Sequence, residues 1–238
     1  GPGWSKHFTF GLRTEWLQLY LDNPSRWAVA GVLGTRQVDS LGAWLRTMGL
    51  VDHRGEETPL CQTVRALGFM NPRVWPRVWS NCAFSFPTAG WYVQVLGLGR
   101  WSTTEMALSL SRAMPSLSPR TCRDAICELV GLLERTPIGR ELGQGEVSPC
   151  RPRVVRRTGL ANPGGPALAY AAWLLFKRQR ADRLHLKSDL LWPWTVFGSP
   201  RERSLWALLS AAEGWLELID DHLVATTLPE VWDDLDLR

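Results

Sequence analysis

The chain has 238 residues, 45% of them hydrophobic and 21% charged, with a formal net charge of +4. That composition excludes a disordered chain, and the length suffices for one large core or two small ones. No run of about 18 apolar residues exists and the N-terminus lacks a charged-then-apolar leader, which argues against membrane insertion and secretion.

Gly1, Pro2 and Gly3 read as the remnant of a cleaved expression tag. The first pattern, "LRTEWLQLYL", places Leu12, Trp16, Leu19 and Tyr20 on one helical face. In "NPSRWAVAGVLG", Asn23 is a cap residue and Pro24 a first helical position, which predicts a second helix. A third, "TRQVDSLGAWLRTMGLV", turns Val38, Leu41, Leu45 and Met48 inward and ends at Gly49. "LVDHRGEETPLCQTV" then reads as a short hairpin turning near Arg54 and Gly55. "NPRVWPRVWSNCAFSFPTAGWYVQVLG" predicts two connecting helices broken at Pro87.

The same order returns further along. "STTE", residues 102–105, is a capping box that opens a helix, and Pro115 breaks it. Ser118 caps the next helix, on which Cys122, Ala125, Ile126, Leu129 and Val130 form a buried stripe. "GLLERTPIG" parallels the earlier hairpin, and "RPRVVRRTG" reads as the returning strand of a wing. Beyond the Gly and Pro rich "TGLANPGGP" come a helix in "ALAYAAWLLFKRQR", an aromatic loop "LLWPWTVFG", a helix over 200–212, and a hairpin in "WLELIDDHLVATT" about Asp220 and Asp221. This last stretch reads as an eroded third copy of the unit. Most of the 14 tryptophans, including Trp16, Trp27, Trp75, Trp79 and Trp91, sit in apolar periodic context and are expected in the core.

The fold expected is mainly α with small β-hairpins, in tandem winged helix-turn-helix-like units. The divisions are 1–70 for a first unit, 71–100 for a helical connector, 101–160 for a second unit and 161–238 for a C-terminal helical and hairpin unit. In such units the third helix offers its outer face to the major groove of DNA while the wing follows the backbone. The candidate DNA contacts are Arg36, Gln37 and Ser40 on the first such helix and Arg120, Thr121 and Arg123 on the second. Arg153, Arg156 and Arg157 on the wing are candidate phosphate contacts. Nearly all the positive charge is arginine, which suits phosphate, since lysine occurs only at positions 6, 177 and 187. "RPRVVRR" and "KRQRADR" are basic and "LPEVWDDLDL" at the end is acidic. Asp39 and Asp124 on the proposed faces would repel DNA, and the rival reading of both faces is protein docking or plain solvent.

Catalytic signals are scarce. His7, His53, His185 and His222 are scattered, and no GxSxG, HExxH or phosphate-binding loop stands in the right context. "ELGQGEV" is a turn beside the wing and not a phosphate cradle, and the paired acids Glu56 with Glu57 and Asp233 with Asp234 lie in polar surroundings. Five cysteines with no CxxC pair and no zinc spacing speak for a reducing, cytoplasmic location and against a metal site. No cofactor and no catalytic residue are expected; a catalytic fragment using Cys82 or Cys150 is the weakest of the readings.

Four segments, "HFTFGLRTEWL", "LGTRQVDSLGAWLRTMGL", "FSFPTAGWYV" and "LVGLLERTPIGRELGQGEV", together resemble an uncharacterised bacterial domain family. That family accompanies, or is fused to, phosphoadenosine-phosphosulfate-reductase-like proteins in DNA phosphorothioation and related defence gene clusters. The resemblance spans most of residues 7–160. It implies a role with sulfur-modified double-stranded DNA, either presenting the backbone to a sulfurtransferase or sensing the finished mark, and brings no catalytic residues. The alternative is a module that docks a reductase-like sulfurtransferase or a cysteine desulfurase without touching DNA. A phosphorothioate sulfur is softer and less hydrated than oxygen, so an apolar dimple beside an arginine would prefer it. Candidate dimples are "SFPTAGWY" and residues 7–13, where His7 and Arg13 would make the backbone or sulfur contact.

Overall fold

A periodic apolar face becomes a helix only where something covers it, and the first seventy residues show both outcomes. The computed structural model describes residues 3–233; the acidic end beyond 233, with Asp234, and the leading Gly1 and Pro2 lie outside them. α1 (Thr14–Asp22) buries Trp16, Leu17, Tyr20 and Leu21. α2 (Thr35–Thr47) buries Leu41 and Leu45, with Met48 just past its end, as the spacing predicts, and Trp44 with them, while Val38 is only half-buried. The helix expected over residues 24–33 does not form: the segment is a run of turns, exposed except for half-buried Trp27 and Leu33. With no buried face and with Gly31 at φ 74°, Asn23 and Pro24 cap nothing. The hairpin expected next shrinks to one bridge, Val51 with Glu57, around a turn in which the Asp52 carboxylate accepts from the amides of Arg54 and Glu56 at 2.8 and 2.9 Å. Pro59 ends the pairing because it has no N–H, and with Thr58 as cap it opens α3 (Pro59–Leu67).

α4 (Val74–Ser85) is buried almost all round by Val74, Trp75, Val78, Trp79 and Cys82, and packs against elements from both ends of the chain. Pro87 breaks the connector as expected, starting the short α5 (Pro87–Trp91), which runs into a single π-helical turn over Tyr92–Leu96.

Beyond it the chain makes one three-stranded antiparallel sheet and then another. β1 (Gly99–Ser102) leads directly into α6 (Thr103–Ala113), where the expected capping box is in place: Ser102 Oγ accepts from Glu105 N at 3.1 Å and the Glu105 carboxylate accepts from Ser102 N at 2.6 Å. α7 (Pro119–Arg135) follows. It runs through the segment expected to form a hairpin, because Leu132 and Leu133 continue the stripe of Leu129 and Val130 and are buried with it. The Thr136 and Pro137 pair stops it and begins the single turn α8 (Pro137–Arg140). β2 (Glu146–Val147) and β3 (Val154–Arg157) complete the sheet in the order β1-β3-β2.

α9 (Gly165–Gln179) packs on α4. It precedes β4 (Arg183–His185), the short α10 (Pro193–Phe197), α11 (Arg201–Ala211) and the strands β5 (Leu216–Ile219) and β6 (His222–Ala225). The expected final hairpin is present, with Asp220 and Asp221 both at positive φ as a two-residue turn requires. Its sheet has the order β4-β6-β5, the connectivity of the first sheet repeated. The chain is therefore mainly α with two small antiparallel sheets, and one hydrophobic cluster runs through all of it.

Candidate nucleic-acid interface

The residues proposed from sequence divide by side-chain direction. On α2, Arg36 is exposed, but Gln37 is half-buried and its Oε1 accepts from Gly34 N at 3.0 Å, capping the helix. Ser40 is fully buried, with its hydroxyl unpartnered, and cannot meet a base edge. On α7, Arg120 has an 86% exposed side chain that reaches Asp124 one turn on at 3.8 Å, a contact of little energy in solvent. Thr121 is held by the cap, its hydroxyl 2.8 Å from Ser118 Oγ, and Arg123 is exposed.

The arginines of β3 alternate. Arg156 is exposed, whereas Arg157 is 2% exposed and is corrected from a phosphate contact to an interior rivet. Its Nε and Nη2 donate to Gln144 Oε1 at 3.1 and 2.9 Å, Nη1 donates to Gly97 O at 3.1 Å, and Nη2 donates to the carbonyls of Thr195 and Val196 at 3.1 Å each. Burial without a carboxylate partner brings its pKa down to about 10. Arg153 is half-buried and ion-paired with Glu134.

His7 is likewise an interior residue and not a backbone or sulfur contact. It is fully buried, stacked on Trp44 at 3.7 Å, with Nδ1 2.8 Å from Glu128 Oε2 and Nε2 2.9 Å from Thr47 Oγ1. Glu128 Oε1 also accepts from Ser5 Oγ and from the amides of His7 and Thr9, at 3.0, 3.1 and 3.1 Å. Together they clamp the N-terminal segment onto α7. Arg13 is half-buried and lies over the Trp16 ring at 5.3 Å. The second expected dimple is core as well, since Phe86, Thr88, Ala89, Trp91 and Tyr92 are all buried. Cys82 is buried too, its thiol pushed up to about 12 by desolvation, which leaves no thiolate for nucleophilic chemistry. Cys150 is exposed.

Arg100 and Arg140, which the sequence reasoning did not single out, and Arg151, which it quoted within a basic run, lie in or beside the same sheet as Arg156. Arg100 stands directly across from Arg156 in the β1–β3 register, Glu146 stands across from Arg156 on the other side, and Arg140 reaches Glu146 at 3.3 Å. Arg151 is exposed in the loop between β2 and β3. Two like charges directly opposite in a ladder oppose folding, and Glu146 on the third strand offsets part of that repulsion. The signal was present in "GRWS": had those residues been read as a strand, Arg100 would have shared a face with the alternate wing arginine. Between α6 and α7 lies a cleft of about 450 Å³ whose lining includes Leu108, Ile126 and Val130 together with Arg123 and Arg153.

Among the described residues no three His, Cys, Asp or Glu side chains converge, and no helix is long and apolar enough to cross a membrane. No family model matches the chain, and no curated protein matches it. The fold is similar to two solved structures, described as "SspB crystal structure" and "Magnesium ion-bound SspB crystal structure", each with a TM-score of 0.69 and 14% identity. The likeness covers 96% and 95% of this chain and 85% and 84% of those chains, and at that identity it is a likeness of fold.

Proposed function

We propose that the chain is a DNA-binding accessory protein of a bacterial DNA phosphorothioation or related defence system, cytoplasmic, and built on tandem winged helix-turn-helix-like units that present double-stranded DNA to a reductase-like sulfurtransferase. The observation that carries it is the unit of β1, α6, α7, β2 and β3. A strand, two helices and a hairpin place Arg120 and Arg123 at the exposed N-terminal end of α7, on the same unit as Arg100 and Arg156. That helix end adds its own positive pole toward phosphate. The whole-chain fold likeness to structures named SspB is consistent with a phosphorothioation-related protein. Presentation is favoured over sensing because Phe86, Ala89, Trp91 and Tyr92 of one dimple are core and His7 of the other is fully buried.

The test is duplex binding by fluorescence anisotropy over a salt series. Each lost phosphate contact lowers the slope of log K against log salt by about 0.9. Replacing Arg100, Arg123 and Arg156 by alanine is therefore expected to flatten the slope by about 2 to 3. Matched normal and phosphorothioate duplexes are expected to bind alike, and a clear preference for sulfur would put sensing first. Binding that is absent or indifferent to salt would leave the docking module as the function.

A further inference from the structure

The turn in "HFTF" places two residues where the backbone disfavours them. The Phe10 amide donates to His7 O at 3.1 Å, and the two residues between, Phe8 and Thr9, lie at φ 55° and 65°. Turns with both central residues at positive φ favour Asn and Gly, and a bulky aromatic there is strained. Glu128 Oε1 holds the strain in place by accepting from the amides of His7 and Thr9, one on each side of Phe8, at 3.1 Å each. The conformation does not serve the core, since it leaves the Phe8 ring 47% exposed. Strain that a buried carboxylate enforces and packing does not use points to a role outside folding.

Phe8 is part of the wall of an open hollow of about 420 Å³, shared with Lys6, Trp27, Asp39, Gly42 and Arg46. Trp27 is held there edge-on to Tyr20, with ring centroids 6.1 Å apart. A Cβ placed on Gly42 would stand 4.0 Å from both Trp27 Cη2 and Arg46 Nη2, so indole and guanidinium converge over a floor that has no side chain. Lys6 Nζ donates to Ser85 O at 3.0 Å, which uses one of the three donors of an ammonium. Asp39 and Arg46 are exposed and lie two turns apart on one face of α2, about 10 Å along its axis.

We propose that this hollow binds a nucleobase together with its phosphate. An aromatic ring kept in water and a second ring beside it suit a planar partner that stacks. Arg46 and Lys6 suit a phosphate on that partner. Asp39 can only accept, so it selects a base with an N–H edge, and guanine offers two such donors side by side. The chemistry is the same whether the base belongs to a free nucleotide or stands unpaired in a DNA strand. The site shares no residue with Arg100, Arg123 and Arg156, so it and the duplex-binding face can fail separately.

Isothermal titration of the whole chain with deoxyguanosine monophosphate reads the site directly. Deoxyguanosine without phosphate, and deoxyribose phosphate without the base, are each expected to bind at least about fivefold more weakly. Phe8→Gly removes the ring yet adopts φ 55° freely, so binding is expected to fall at least about fivefold while the melting temperature holds or rises. Gly42→Leu fills the floor without deleting any contact, and is expected to weaken binding as much. A duplex with one unpaired guanine, compared with its fully paired counterpart, identifies the source: a bulged duplex bound more tightly than both the paired one and the nucleotide assigns the base to a strand, and otherwise the ligand is the free nucleotide. The proposal is overturned if neither probe shows saturable binding that Phe8→Gly weakens. Deoxyribose phosphate binding as well as the nucleotide overturns it too, as does unchanged binding in Gly42→Leu.

Discussion

Glu128 sits midway along a helix whose stripe is otherwise aliphatic, and it is completely buried. A lone buried carboxylate costs several kcal/mol, and four donors from the N-terminal segment offset that cost: Ser5 Oγ, the amides of His7 and Thr9, and the His7 ring. The His7 pKa is lowered, first by burial, against the opposing pull of Glu128. A histidine whose folded pKa lies below 6.5 is taken up neutral, so the unfolded chain binds the extra proton as pH falls. Stability from this site is present above 6.5 and is lost as the pH drops from there toward the folded value. Urea titrations are expected to show unfolding free energy declining by up to about 1.4 kcal/mol per pH unit below that point, and His7→Gln is expected to flatten the decline. An equally steep decline in the variant would assign it to other groups.

At the scale of elements, packing overrode local rules in both directions. Ser102, Ser118, Pro119 and the stripe of α7 were readable because capping and a 3.6-residue period act within a few residues. Residues 24–33 carried start signals just as clear and stayed in turns, since nothing packs on them. The units that share strand connectivity begin at β1 and β4, within the second copy and the eroded third copy read from the sequence, whereas the first expected copy has a single bridge in place of a sheet. On the wing, the alternation of a strand already implied that Arg157 shares the inward face of Val155 while Arg156 points out, yet the arginine run was read as one surface. One close approach makes a further test. In an open helix Gly→Ala is worth about 1 kcal/mol of stability. At Gly131 the added Cβ would meet the Gly11 Cα at 2.7 Å, backbone against backbone with no side chain to yield. Gly131→Ala is therefore expected to lower the melting temperature, and a gain would mean that the N-terminal segment does not lie where the structure puts it.

Over the whole molecule, the two sheet-bearing units are joined by more than a linker. Arg157 at the end of β3 donates to two carbonyls of α10, and Trp79 Nε1 on α4 donates to Val196 O at 2.8 Å, so the halves share buried polar partners as well as one apolar cluster. Unmaking either unit strands those groups without water. Calorimetry is expected to give a single transition whose calorimetric and van't Hoff enthalpies agree, and two resolved transitions would show that the halves fold separately.

The mainly α character with small antiparallel β-elements, the capped helices α6 and α7, the final hairpin and the preference for arginine were properties of the chain alone, because each depends on neighbours a few residues apart. Which arginines reach solvent, and that His7 and Glu128 belong to the interior, were set by contacts between residues as far as 123 positions apart. Periodicity tells how a face is spaced, and only packing tells what lies against it.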